Sequence, residues 1–226
     1  MGRAARRQKQ SVKKAPIIAV LAGVNGAGKS SVAGGFLRKE GDTFFNPDTV
    51  AQQIRNLHPD IPFTLANAHA WQIGKSLLEQ AISGGRDYRF ETTLGGRTIA
   101  QLLEQAARSG HRLHLWFCGL ASADLHLRRV RSRVAHGGHD IPEEKIRERW
   151  NRSRENLIRL LPLIDHLRVY DNSAEADPAE GHRPKPLLLL EMKRGKITAP
   201  SDLSGAPDWA KPIIAAAIHL HTAARL

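Results

Sequence analysis

The chain has 226 residues, of which 41% are hydrophobic and 25% charged, as expected for one α/β domain with a large core. A single cysteine excludes an internal disulfide, and no apolar run is long enough to span a membrane, so we expect a cytoplasmic protein. The formal charge is +12, and six basic residues without an acidic one fall within the first fourteen positions. Residues 1–15 are therefore predicted to form a basic, disordered tail.

The first predicted element is a phosphate-binding loop. An apolar, β-branched run at 17–21 precedes Gly-Val-Asn-Gly-Ala-Gly-Lys-Ser at 23–30, which fits G-x-x-x-x-G-K-[ST], and a helix-compatible run follows. Backbone N–H groups of such a loop surround phosphates, its lysine reaches the β- and γ-phosphates, and its serine binds Mg²⁺. The alternative is a glycine-rich turn that binds nothing. The predicted ATP contacts are Gly23, Asn25, Gly26, Ala27, Gly28, Lys29, Ser30 and Ser31, with Ser30 as the Mg²⁺ ligand.

Strands and helices alternate along the rest of the chain. Strands are predicted at 43–46, 87–91, 112–118, 167–170 and 187–192, with 196–198 as a hairpin partner of the last. Helices are predicted from 47, and at 64–83, 98–109, 122–135, 143–161 and 207–226. This alternation predicts a three-layer α/β fold of the P-loop NTPase type, with a mostly parallel sheet and a single domain at 16–226.

Two charged helices, at 122–135 and 143–161, flank the sequence His-Gly-Gly-His. Such an arginine-rich pair is typical of the lid of a small kinase, so residues 122–161 are predicted to cover the phosphates and exclude water. A nucleic-acid patch is the alternative, but aromatic residues for base stacking are scarce nearby, and nucleic acid is not expected as a partner. The chain also lacks the guanine-reading Asn-Lys-x-Asp motif and an apolar strand ending in Asp-Glu. A kinase is therefore favoured over a GTPase or a hydrolysing ATPase.

The carboxyl ends of the predicted strands carry the candidates for acid–base chemistry. Asp48 follows the second strand and can accept the proton of an acceptor hydroxyl, although capping its helix is the alternative role. Glu91 ends the third strand on the same edge and could orient the acceptor or bind Mg²⁺ through water. Thr92 and Thr93 could hydrogen-bond the acceptor. The acceptor pocket should lie between Asp48, Glu91 and the helix at 64–83, and the four tryptophans are expected in core or helix packing.

These motifs occur in the order found in the zeta-toxin family of small kinases, which the chain resembles over residues 17–173. The phosphate loop is similar to that of the broad chromosomal branch of the family. Besides the loop, the matching stretches are Asn46-Pro47-Asp48, Glu91-Thr92-Thr93-Leu94, residues 131–142, residues 146–150 and Tyr170-Asp171-Asn172-Ser173.

The resemblance implies ATP-dependent phosphorylation of a sugar hydroxyl of UDP-N-acetylglucosamine, with Mg²⁺, and it makes an antitoxin protein a candidate partner. It matches Asp48 with the catalytic base, Lys29 with an ATP contact and Glu91 with the acceptor-binding carboxylate. Arg133 and one of two further arginines match those that stabilise the transferring phosphoryl group. We assign Arg147 to that role and Arg149, with Thr92 and Thr93, to the acceptor. The alternatives are a kinase for a nucleotide, a nucleic-acid end or a drug, and an ATP-binding switch protein without transfer activity.

Overall fold

Six strands form one mixed sheet in the part of the chain that the structure, a computed structural model, describes: residues 14–33, 44–136, 139–175 and 185–223. The order across the sheet is β2-β1-β3-β4-β5-β6. The first four strands of this order run parallel, whereas β5 is antiparallel to β4 and forms a hairpin with β6. The prediction of a mostly parallel α/β sheet is confirmed. The strands are β1 (Ile17–Ala22), β2 (Tyr88–Thr92), β3 (Arg112–Gly119), β4 (Ile164–Asp171), β5 (Leu187–Lys193) and β6 (Lys196–Ala199).

The helices pack on the sheet through apolar residues spaced three and four apart. In the helix Arg97–Arg108, Ala100, Leu103 and Ala106 are buried, as the period of an amphipathic helix requires. The main core lies between this helix, the helices Glu143–Leu160 and Lys211–Ala223, and the sheet. The helices are α1 (Lys29–Ala33), α2 (Pro47–Leu57), α3 (Phe63–Gly84), α4 (Arg97–Arg108), α5 (Ala123–Ala135), α6 (Glu143–Leu160) and α7 (Lys211–Ala223).

The strand predicted at 43–46 is reduced, in the described residues, to one parallel bridge between Phe45 and Phe90. The Phe45 N–H donates to the carbonyl oxygen of Arg89, and the Glu91 N–H donates to that of Phe45, both at 2.9 Å. Pairing ends there because the next residue, Asn46, caps α2. The bridge still brings the start of α2 against the end of β2.

Helices α2 and α3 form a packed pair whose contact is made by small side chains. Ala51 of α2 and Ala66 and Ala70 of α3 are buried together, so the two backbones approach closely. At Gly74 a Cβ atom would lie 2.5 Å from the ring of Phe45. This close packing holds the first turn of α2 beside α3, with a cleft between them and the carboxyl edge of the sheet.

Some predictions fall on residues that the structure does not describe. Apart from Lys14 and Ala15, the predicted basic tail lies outside the described residues, and so do Gly137 and Gly138 of the predicted lid. Among the residues that are described, no helix is both long enough and apolar enough to cross a lipid bilayer.

Candidate active site

The phosphate loop joins β1 to α1 in a conformation that requires glycine. The φ angles of Gly23, Gly26 and Gly28 are +147°, +84° and +73°. A Cβ atom at Gly23 would lie 2.3 Å from the carbonyl oxygen of Cys118, and one at Gly28 would lie 2.3 Å from Nδ2 of Asn172. The contact at Gly23 is with backbone, and the positive φ at both positions strains any residue with a side chain, so the loop follows this path best with glycine at both positions.

Side chains from three other elements hold the carbonyl groups of the loop. Asn172, after β4, donates to the Ala27 oxygen at 2.8 Å, and the Cys118 thiol donates to the same oxygen at 3.1 Å. Burial raises the pKa of Cys118 to about 12 and lowers that of His126 to about 4. The thiol therefore keeps its proton, and the neutral imidazole of His126 donates from Nδ1 to the Asn25 oxygen at 2.8 Å. With its carbonyl groups bound by the scaffold, the loop is held in a shape that suits an anion.

Lys29 connects the loop to the end of β2. Its side chain is 9% exposed, and Nζ donates to the carbonyl oxygen of Gly23 at 2.7 Å. The same ammonium lies 3.3 Å from Oε1 of Glu91. The other carboxylate oxygen, Oε2, accepts a hydrogen bond from Nδ2 of Asn46 at 3.2 Å. The structure thus brings together two residues that the sequence assigns to different ligands, the nucleotide and the acceptor.

Asp48 and Arg149 face each other across the cleft. Asp48 lies exposed in the first turn of α2, and its charge is one of those that raise the pKa of Arg149 against the larger, lowering effect of burial. Nη1 of Arg149 donates to Oδ1 of Asn25 in the phosphate loop at 2.8 Å. Gly95 leaves room for this arginine, because a Cβ atom there would lie 2.7 Å from its Cγ.

A cavity of about 640 Å³ opens beside these residues. It lies between α2, α3, the end of β2 and α6, which is where the sequence predicts the acceptor pocket. Asp48, Glu91 and Arg149 line it, as do Thr92 and Thr93. Trp71 also lines the cavity and is 41% exposed, so it lies outside the buried core. The remaining aromatic and basic residues of its wall include Phe45, Phe63, Lys75, Lys145 and Arg152.

The sequence was compared with known protein families and with individual proteins. The profile of the Zeta toxin family matches residues 2–177. The chain belongs to the Zeta toxin family. A protein of Haemophilus influenzae described as uncharacterized is similar to this family member, with 30% identity over 128 residues, which cover 57% of this chain and 88% of that protein. Family membership and the phosphate loop together support an ATP-dependent phosphotransferase.

Solved structures share the fold of this Zeta toxin family member at low sequence identity. A chain of the AvrRxo1-ORF1:AvrRxo1-ORF2 complex with sulphate ions superposes with a TM-score of 0.59 and 14% identity over 89% of this chain. Our chain spans only 63% of that one, and the values are the same for the complex with ATP. The PezAT toxin–antitoxin system of Streptococcus pneumoniae gives a TM-score of 0.50 and 18% identity, over 80% of this chain and 78% of that one.

The arginines of the predicted lid have different surroundings in this family member. Arg147 is half-exposed on α6 and forms ion pairs with Asp124 of α5 at 2.7 Å and Glu143 at 2.8 Å. It does not line the cavity. Arg133 lies partly buried in α5, and within the described chain its Nε and Nη2 atoms have no hydrogen-bond partner. The catalytic roles of Arg133 and Arg147 stay predictions.

Four residues of the site had no assigned role in the sequence. Asn46 and Asn172 stand within stretches that resemble the family, but a motif does not show which side chain they contact. His126 and Cys118 carry no motif at all. Their contacts with the loop join residues 101 and 91 positions apart, so no spacing rule could have found them. For Cys118 the only signal available was its place in an apolar strand, and for His126 it was its place between two leucines.

Proposed function

We propose that this Zeta toxin family member is an ATP-dependent kinase that phosphorylates a sugar hydroxyl of UDP-N-acetylglucosamine. One observation carries the proposal: the phosphate-loop lysine touches a carboxylate that lines the large cavity. Lys29 Nζ is 3.3 Å from Glu91, and Asp48 lines the same cavity. A nucleotide on the loop and an acceptor in the cavity would therefore be neighbours, as direct phosphoryl transfer requires.

The nucleotide side of the site fits a triphosphate. The loop glycines leave no room for a Cβ atom, and the ammonium group of Lys29 lies inside the loop. Ser30 is exposed at the start of α1, where its hydroxyl could bind a cation. Bound ATP would supply the phosphoryl group, and Mg²⁺ would neutralise its charge. The residues that would hold them are Gly23, Asn25, Gly26, Ala27, Gly28, Lys29, Ser30 and Ser31.

We assign Asp48 as the base that accepts the proton of the acceptor hydroxyl. As the oxygen attacks, Lys29 and the arginines would stabilise the charge on the transferred group. Arg133 is a candidate because its guanidinium lacks a hydrogen-bond partner in the described chain. For the second arginine, the contact with Asn25 at 2.8 Å supports Arg149 over Arg147, whose ion pairs direct it away from the cavity.

The acceptor would occupy the cavity and contact Glu91, Thr92, Thr93 and Arg149. The volume of about 640 Å³ is in the usual range for small-molecule sites, roughly 300–1,000 Å³. The cavity is lined by both aromatic and basic side chains, which suit an acceptor that has both ring systems and phosphate groups. Structural similarity to a toxin–antitoxin system supports an antitoxin protein as a partner. A cytoplasmic location follows from the proposed substrate.

The proposal is tested by incubating the purified protein with ATP, Mg²⁺ and a panel of acceptors that includes UDP-N-acetylglucosamine, followed by mass spectrometry. We expect one added phosphoryl group on that nucleotide-sugar. The Asp48→Asn variant should lose transfer but still bind ATP, because its amide cannot take the proton. Lys29→Ala should lose ATP binding. Asp60→Asn is the matched control, since Asp60 is an exposed residue that does not line the cavity.

Each alternative predicts a different outcome of this assay. Phosphorylation of another acceptor in the panel would support kinase activity but would show that the acceptor is not UDP-N-acetylglucosamine. ATP turnover that is equal in the wild type and in Asp48→Asn would remove Asp48 as the base. ATP binding without turnover would favour the switch protein.

A further inference from the structure

The side chain of Asn46 makes two kinds of contact at once. Its Oδ1 accepts hydrogen bonds from the N–H groups of Asp48 at 2.9 Å and Thr49 at 3.3 Å, which caps the first turn of α2. Its Nδ2 donates to Oε2 of Glu91 at 3.2 Å. Serine or aspartate would satisfy the cap equally well. The carboxamide of Asn46 presents its acceptor and its donor on separate atoms, so it can serve the helix and the Glu91 carboxylate at the same time.

We propose that Asn46 is a positioning residue for phosphoryl transfer, which ties the helix turn that carries Asp48 to Glu91 at the end of β2. This role rests on the proposed function, in which Asp48 is the base. Glu91 in turn contacts Lys29, whose Nζ is 3.3 Å from the other carboxylate oxygen. The phosphate-loop lysine, the acceptor-side carboxylate and the base are thereby linked through consecutive polar contacts.

The Asp48 carboxylate is placed by the helix turn that carries it, and the hydrogen bonds of Asn46 are part of what holds that turn. In the described residues no hydrogen bond reaches the Asp48 side chain, which is exposed. Its direction is therefore set by the backbone of the first turn of α2. Upstream, the single bridge at Phe45 is the only backbone pairing that joins this segment to β2 in the described chain. A shift of about 1 Å in a reacting group can cost about 100-fold in rate, so a loosened turn should reduce kcat.

Three variants of Asn46 distinguish its hydrogen bond to Glu91 from its hydrogen bonds to the start of α2. Asn46→Ser keeps an oxygen for the helix N–H groups but is too short to reach Glu91 as well. Asn46→Ala loses both contacts. Asn46→Asp keeps the cap and places a second carboxylate against Glu91. These two carboxylates can share a proton at low pH, which restores a donor between them. The pH optimum of Asn46→Asp should therefore move to lower pH, a change that a purely structural role would not produce.

The experiment measures kcat and KM for ATP with UDP-N-acetylglucosamine, and ADP release with water as the acceptor, together with the urea midpoint of each variant. For Asn46→Ser we expect a midpoint close to that of the wild type, a fall in kcat of about 10- to 100-fold and a KM for ATP changed by less than about twofold. Asn46→Ala should show the same fall in kcat and a lower midpoint.

Wild-type kcat in Asn46→Ser would overturn the positioning role, and so would an unshifted pH optimum in Asn46→Asp. If the wild type releases ADP but leaves UDP-N-acetylglucosamine unmodified, the acceptor is wrong, and the variants decide the role of Asn46 from ADP release alone. A wild type that turns over no ATP overturns the kinase proposal, and the role of Asn46 with it.

Discussion

Protonation of His126 should destabilise the protein at mildly acidic pH. Its side chain is 1% exposed, and its Nδ1 is 2.8 Å from the Asn25 oxygen of the phosphate loop. Burial is the main cause that lowers its pKa from 6.5 to about 4, and the positive charges of Lys29 and Arg129 act in the same direction, against the hydrogen bond to Asn25. The folded protein therefore resists a proton that the unfolded chain accepts.

The sign of the effect follows from this difference in proton binding. The folded-state pKa lies below the unfolded one, so the contribution of His126 is fully present above about pH 6.5 and is lost as the pH falls towards 4. Proton linkage between these two pKa values gives a loss of about 2 kcal/mol in the free energy of unfolding between about pH 7.5 and about pH 5.

The assay is urea denaturation of the wild type and of His126→Asn at these two pH values. Asparagine keeps an N–H donor near the position of Nδ1 but does not titrate, so the variant should lose about 2 kcal/mol less than the wild type on acidification. The contribution of His114, whose pKa is also lowered to about 4, is present in both proteins and cancels. His219→Asn, at an exposed site on α7, is the control. An equal loss in the wild type and in His126→Asn would refute the reasoning.

Two further predictions concern the nucleotide side of the site. Arg149→Met should lower kcat by about 100-fold, and by more than Arg147→Met does, because of the two arginines only Arg149 lines the cavity. A larger fall in Arg147→Met, measured with the same acceptor, would reverse the assignment. Gly28→Ala should weaken ATP binding by about 10-fold or more in calorimetry, since the φ of +73° and the 2.3 Å approach to Asn172 both oppose a side chain. Wild-type affinity in that variant would show that the loop tolerates a different path.

Secondary structure could be predicted from the sequence for helices, whose hydrogen bonds are local, and for strands whose two faces are both buried. The strands predicted at 17–21, 87–91 and 112–118 correspond to β1, β2 and β3. The prediction was less accurate at 43–46, where an extended pattern yields only the bridge at Phe45. Asn46 ends the pairing by capping α2, and its other contact is with Glu91, which is 45 residues away.

Two arginines of α6 show a similar limit on what can be predicted from the sequence. Positions 147 and 149 are two apart, and residues at that spacing point to different sides of a helix. The sequence therefore indicates that only one of the two can face the nucleotide. Which one does so depends on how α6 packs, and the packing turns Arg149 towards Asn25 and Arg147 towards Asp124.

Local sequence patterns were sufficient to predict the phosphate loop, the alternation of strands and helices, and the edge of the sheet at which the polar residues gather. These features arise from local periodicity and from the shared direction of parallel strands, so consecutive residues are sufficient to encode them. Long-range packing, in contrast, is what brings Lys29 to Glu91, Asn46 to Glu91 and His126 to the phosphate loop. Each of these contacts joins segments far apart in the chain, and their geometry is set by how the layers pack on the sheet.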